Sequence, residues 1–145
     1  IVRLPMKDRN TVLDCLYLFN KSEYHRQYTL VEFNNYCLFP ILHKKARLFY
    51  ENDKPIGFVS WAWITEEEAE EFLLERWMPS EEVHKRPDKI DDRYQLWGLD
   101  FITPYGHTTK VMRGMIQHSQ TVLGQRVPAK WRRFKQPDKI HTKEF

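Results

Sequence analysis

Residues 46–63, ARLFYENDKPIGFVSWAW, carry two strand-like runs around a turn. Arg47-Leu48-Phe49-Tyr50 alternates in one arm, and Ile56 to Trp63 forms an apolar second arm. Asn52, Asp53 and Pro55 between them are turn residues. The pattern predicts a β-hairpin. Two helical patterns precede it. Thr11–Phe19 places Leu13, Leu16 and Tyr17 at i, i+3 and i+4, which predicts an amphipathic helix starting near Asn10 or Thr11. Residues 29–44 predict a second helix, with Thr29 and Glu32 as a capping box and Pro40 as a kink or break.

After the hairpin, Thr65 and Glu68 form another capping box for a helix over 65–76. Its acidic first turns suit the helix dipole, so the acids read as helix stabilisation and not as a metal site. Residues 78–92, with Pro79 and Pro87, read as an exposed loop with room for one helical turn. A strand follows over 94–103 and a helix over 107–124, with Val111, Met112, Met115, Ile116 and Val122 on its apolar side. RVPAKWRRF, residues 126–134, reads as a last basic strand, and the remainder as tail. The order α-α-β-β-α-β-α-β predicts an α/β protein, a mixed sheet flanked by helices.

The chain has 145 residues and reads as a single domain, 1–145, large enough to bury a core. Five Trp, seven Tyr and nine Phe are many for this length and provide for an apolar groove as well as a core. A net charge of +3 permits an acidic partner without demanding one, and is small for a dedicated nucleic-acid binder. Cys15 and Cys37 lack any C-x-x-C spacing and read as buried thiols in a reducing compartment. No signal peptide opens the sequence, and no run approaches the ~18–20 apolar residues of a membrane span. The expectation is a cytoplasmic protein without an integral membrane segment.

One residue is out of place. LWGLDFITPYGH, residues 96–107, sets Asp100 in an apolar strand. A buried carboxylate needs a partner. His25, in SEYHRQY between two helices, needs a carboxylate to orient its ring if it is to move protons. Arg26, Arg47 and Arg113 satisfy Asp100 equally well on charge alone. No Walker A, G-x-G-x-x-G, G-x-S-x-G or H-E-x-x-H motif is present, and His107 and His118 have no further ligands for zinc.

Three motifs in order carry a resemblance: S-x-x-H-R at Ser22–Arg26, the hairpin ending in Ser60-Trp61-Ala62, and the Asp100–Gly106 run. Together they resemble the bacterial RTX toxin-activating lysine acyltransferases, over about His25 to Met115. The segment between Ile64 and Asp100 is longer than in the best-known member, and the region after Gly124 aligns weakly. The resemblance implies a GNAT-like acyltransferase fold with a mixed, mostly antiparallel sheet. It also implies transfer of a fatty acyl group from acyl carrier protein to internal lysines of an RTX protoxin, in Gram-negative cytoplasm. The family's essential His and Asp fall on His25 and Asp100. His25 would then be a general base, or a transient acyl acceptor, oriented by Asp100.

Several expectations follow from that reading. No Q/R-x-x-G-x-G/A turn opens the helix after Gly106, where HTTKVMRG stands, so the carrier-protein thioester is favoured over coenzyme A and no cofactor is expected. Backbone amides near Ser60 or Gly106 are candidate oxyanion donors. Ser22 reads as a turn residue or a contact to His25. Basic clusters at Lys130–Lys135, including Arg132 and Arg133, and at His43–Arg47 are candidate docking faces for the acidic carrier. A homodimer is implied by the resemblance alone. Three rivals remain open: a coenzyme A-dependent acyltransferase on a small amine, a small nucleic-acid binder using Trp131, Arg132, Arg133 and Phe134, and a catalytically silent binding module.

Overall fold

The computed structural model describes residues 6–133 and 136–145, and side chains outside 6–9 and 133–137. Helix α1 (Met6–Asn20) leads through a 3-10 turn (His25–Gln27) to α2 (Leu30–Phe33), a π turn (Asn34–Leu38) and α3 (Phe39–Leu42). Strands β1 (Ala46–Glu51) and β2 (Lys54–Ile64) follow, then α4 (Glu66–Leu73), α5 (Glu81–His84), β3 (Gln95–Ile102), α6 (Thr108–Leu123), β4 (Pro128–Arg133) and β5 (Gln136–Glu144). The five strands lie in the order β1-β2-β3-β4-β5. Among the described residues, only the β3–β4 pair is parallel. A mostly antiparallel sheet with helices on both faces is consistent with a GNAT-like fold.

The hairpin forms as its turn residues require. Asn52 and Asp53 take φ of 50° and 63°, the left-handed pair of a two-residue hairpin loop, and Glu51 faces Lys54. β2 is then the central plank. Val59, Trp61 and Trp63 pack against α6, while Phe58, Ala62 and Ile64 pack on the opposite face with α1 and α4. Gly57 lets α6 approach closely, because a Cβ there would stand 2.6 Å from Val111 Cγ2. Both capping boxes are formed, Thr29 with Glu32 and Thr65 with Glu68. No helix among the described residues is long and apolar enough to cross a membrane.

Three expectations are corrected. Helix α1 begins at Met6, and the face it buries is Cys15, Leu18 and Phe19; Leu13, Leu16 and Tyr17 are exposed. Both sets have the i, i+3, i+4 spacing, and the sheet selects the one that meets Phe58 and Ile102. The supposed tail is β5, held to β4 by backbone pairing from Pro128–Glu144 to Arg133–Gln136. Residues 78–92 are not an open loop: Pro79, Val83 and His84 are buried, Arg86 binds Glu68 through two hydrogen bonds, and Asp88 reaches the indoles of β2. The two cysteines are buried free thiols, as expected, and they meet in the core, where burial and then the neighbouring thiol push Cys15 far above the usual thiol range.

Pro40 acts by shifting the helical register. Phe39 N–H bonds Asn34 O across five residues. In that register Asn35 O would await the N–H of residue 40, and proline has none. His84, fully buried on α5, supplies the missing donor: its Nε2 lies 2.8 Å from Asn35 O. Burial is the main cause that lowers the His84 pKa to about 4. The folded state therefore resists a proton that the unfolded chain accepts near the ordinary value of ~6.5. Stability from this site is complete above about pH 6.5 and is lost as pH falls towards 4, a change of ~3 kcal/mol. Urea titrations at both pH values should show this loss in the wild type, and His84→Gln should flatten it.

Candidate active site

The position of Asp100 follows from a bulge. Ser60 on β2 faces Asp100, yet Trp61 faces Gly98, so Leu99 is an extra residue in β3. In an unbroken pleat Asp100 would share a face with Leu96, towards α6. Instead Leu96 and Phe101 meet α6, while Trp97, Leu99 and Ile102 pack on the other side. The bulge brings Asp100 to that side as well, opposite the turn that carries His25.

The His25 ring is boxed by aromatic neighbours. Phe19, Tyr24 and Tyr28 have ring centroids 5.3, 5.1 and 5.2 Å from it. His25 Nε2 lies 3.0 Å from Asp100 Oδ1, and Tyr28 O–H donates to the same oxygen at 2.8 Å. A carboxylate only accepts, so the proton sits on Nε2 and Nδ1 offers a lone pair. Ser22 Oγ stands 2.6 Å from Nδ1 and donates to it. The serine also accepts from the His25 amide at 3.4 Å, so it serves both the turn and the ring. His25 is 9% exposed and Asp100 6%. Burial, and then Asp100, hold the Tyr28 hydroxyl far above its ordinary pKa, so it remains a donor.

These groups lie in a cleft of about 940 Å³ whose walls include Ser22, Tyr24, Tyr36, Phe72, Trp131 and Arg132. The structure thus brings His25 and Asp100 together across 75 residues of sequence. The rival partners go elsewhere: Arg26 faces Glu23, Arg47 faces His118, and Arg113 is exposed on α6. Arg132 lines the cleft, its Nη1 donating to Leu73 O at 3.0 Å. Arg133 has its backbone in β4, and its side chain lies outside the described residues. Ser60 is fully buried beside Asp100 and does not line the cleft. Gly106 sits in an exposed turn with φ of 86°, and its amide donates to Thr103 O.

The cluster at His43–Arg47 does not form a continuous basic face, because Lys45 is buried against Asp88. Of the cluster at Lys130–Lys135, residues 134 and 135 lie outside the described residues. No group of three His, Cys, Asp or Glu among the described residues is placed to hold a metal. Tyr28 was missed from sequence. Its signal was the three-residue spacing from His25, which one 3-10 turn puts on a common face.

The sequence that builds this cleft and sheet matches a known family: the model of the RTX toxin acyltransferase family covers residues 7–141. The chain belongs to that family. It is also similar to an uncharacterized protein of Synechocystis sp., 24% identical over 104 residues, which span 70% of this chain and 67% of that protein. As an RTX toxin acyltransferase family member, the chain is an acyltransferase of RTX toxin activation. Tyr28→Phe in this acyltransferase removes one donor to a buried carboxylate. It should slow acyl transfer roughly ten-fold, measured as initial rate, with the thermal midpoint within a few degrees of wild type.

Proposed function

We propose that this acyltransferase moves a fatty acyl group from acyl carrier protein to the ε-amino group of internal lysines in an RTX protoxin, in the bacterial cytoplasm. The observation that carries the reading is the His25–Asp100 pair, with Nδ1 of His25 left as an acceptor beside Ser22. A lysine of pKa ~10.4 is protonated near neutrality and cannot attack a thioester. Its amine must be freed and kept free. His25 takes the proton through Nδ1, directly or by way of the Ser22 hydroxyl, and Asp100 stabilises the resulting imidazolium. The ammonium gives one proton to solvent before attack; the C–N bond then forms, the C–S bond breaks, and the second proton, passed from the attacking nitrogen to His25, leaves with the carrier's thiol.

The slight exposure of the ring, and its hydrogen bonds at both nitrogens, support the base role over that of a transient acyl acceptor. The cleft wall carries Arg76 and Arg132 beside Glu32 and Glu75, with Glu75 4.0 Å from Arg132, so an acidic carrier would meet individual arginines and not a continuous basic face. The test is mass spectrometry of a protoxin fragment incubated with enzyme and long-chain acyl carrier protein. A lysine mass shift that disappears in His25→Ala is expected. A shift undiminished in that variant would remove His25 from the chemistry. No shift with an intact donor would reject the reaction.

A further inference from the structure

The β3–β4 ladder holds two residue pairs, Leu96–Ala129 and Trp97–Lys130, although β3 continues to Ile102 and β4 to Arg133. Beyond Gly98 the facing edges are unpaired. Two spaces meet at this opening. The cleft containing His25 lies on one face of the sheet, and a second cavity lies on the other, beneath α6. Leu99, Asp100, Phe101, Met112, Trp131 and Arg132 line both.

The second cavity is long and thin. It follows α6 from Met112 through Met115 and Ser119 to Leu123, a run of ~16 Å at the rise of a helix. Its volume is nevertheless only about 90 Å³, less than the ~150 Å³ of a cavity that admits benzene. As it stands the slot has room for a few methylenes and none for a ring, and a longer linear chain enters as the flexible Met112 and Met115 give way. The floor is Trp61, Trp63 and Phe145. Of the charged groups on its wall, Asp88 is engaged with the two indoles and Arg132 with Leu73 O, while Asp100, which lines both spaces, gives Oδ1 to His25 and Tyr28 and keeps Oδ2 buried without a hydrogen-bond partner among the described residues. Ser119 Oγ, buried and without a partner among the described residues, is the one hydroxyl facing in.

We infer that this slot takes the distal part of the donor's acyl chain, which passes from the His25 cleft through the opening between β3 and β4, and that its length along α6 sets chain-length preference. The inference rests on the acyl-transfer reading above. The occupant is a linear alkyl chain, because continuity with the cleft, apolar walls and a narrow bore are what such a chain requires. Met112 and Met115 are unbranched and adaptable, so the bore widens by rotamer change as the chain advances.

Two measurements on the full chain test this. In the first, wild type, Ser119→Leu and Met115→Ala compete for a mixture of short- and long-chain acyl carrier proteins. Ser119→Leu fills the slot and removes an orphan hydroxyl, so the long-to-short product ratio should fall by about four-fold for each methylene excluded. Met115→Ala should move the ratio the other way. In the second, ¹³C-labelled methionine methyls are followed while unreactive hexyl and tetradecyl pantetheine thioethers are added. The tetradecyl compound should shift Met112 and Met115, and the hexyl compound Met112 alone. Unchanged ratios in both variants with an active wild type would overturn the inference and leave acyl transfer standing. If the wild type transfers nothing, acyl transfer fails, and the thioether titration still decides the slot because it needs no turnover. A Met115 signal unmoved by saturating tetradecyl compound overturns it.

Discussion

Asp100→Asn should lower acyl transfer by about 10³–10⁴-fold while leaving the fold in place, because a triad loses that much when its carboxylate becomes an amide. Asn can present its NH₂ to His25 Nε2. The ring then settles with its proton on Nδ1, pointing at Ser22, and the lone pair proposed to accept the lysine proton is gone. The imidazolium also loses its counter-charge. The shape of the site is unchanged, so binding of the carrier should persist while turnover collapses. Rates from quenched-flow mass spectrometry, alongside carrier affinity, separate the two. A loss confined to affinity would contradict this account. Within the tested range, His25→Ala should be at least as severe.

A second large effect is expected far from the chemistry. Asp88 Oδ1 accepts from Trp61 Nε1 at 3.1 Å and Trp63 Nε1 at 2.8 Å, and Oδ2 lies 3.5 Å from the buried Lys45 ammonium. Asp88→Ala strands both indoles and leaves the buried Lys45 ammonium without its counter-charge, with only His43 O at 3.4 Å as acceptor. A buried charge deprived of its partner costs ~3–5 kcal/mol, and each orphaned indole adds ~1–3 kcal/mol where water cannot reach it. Against a total stability of ~5–15 kcal/mol, the variant should be barely folded at room temperature. Urea denaturation measures this. Asp88→Asn, which keeps an acceptor for the indoles, should lose less. Adding Lys45→Met to Asp88→Ala should recover part of the loss, since the unpaired charge leaves with it.

Much of this molecule was legible because local chemistry announced it. The Asn52-Asp53 turn, the two capping boxes and the alternation around them stand in the chain and in the structure alike. Asp100 was legible as a problem, a carboxylate in need of a partner, but charge alone left His25 and three arginines as equals. The family resemblance narrowed that choice, and the Leu99 bulge is the structural reason they meet. The bulge itself was hidden, since LWGLDFI is apolar towards both faces and alternation shows no slip. From Val12 to Phe19, α1 is apolar at every position but Asp14, so spacing did not separate its buried face from its exposed one. β5 was invisible for the opposite reason: QPDKIHTKE is polar along its length, and backbone pairing to β4 makes it a strand.

The same separation of His25 from Asp100 has a kinetic consequence. The β1–β2 and β4–β5 pairs join neighbours in sequence and close quickly. The two-pair parallel ladder and the 75-residue span between histidine and aspartate close long loops, whose entropy must be met first. Catalytic competence should therefore be among the last properties to arise during refolding, trailing the burial of Trp61 and Trp63. Stopped-flow tryptophan fluorescence beside recovery of transfer would show the lag. A newly made chain would thus become an enzyme only once its two ends of the sheet are joined.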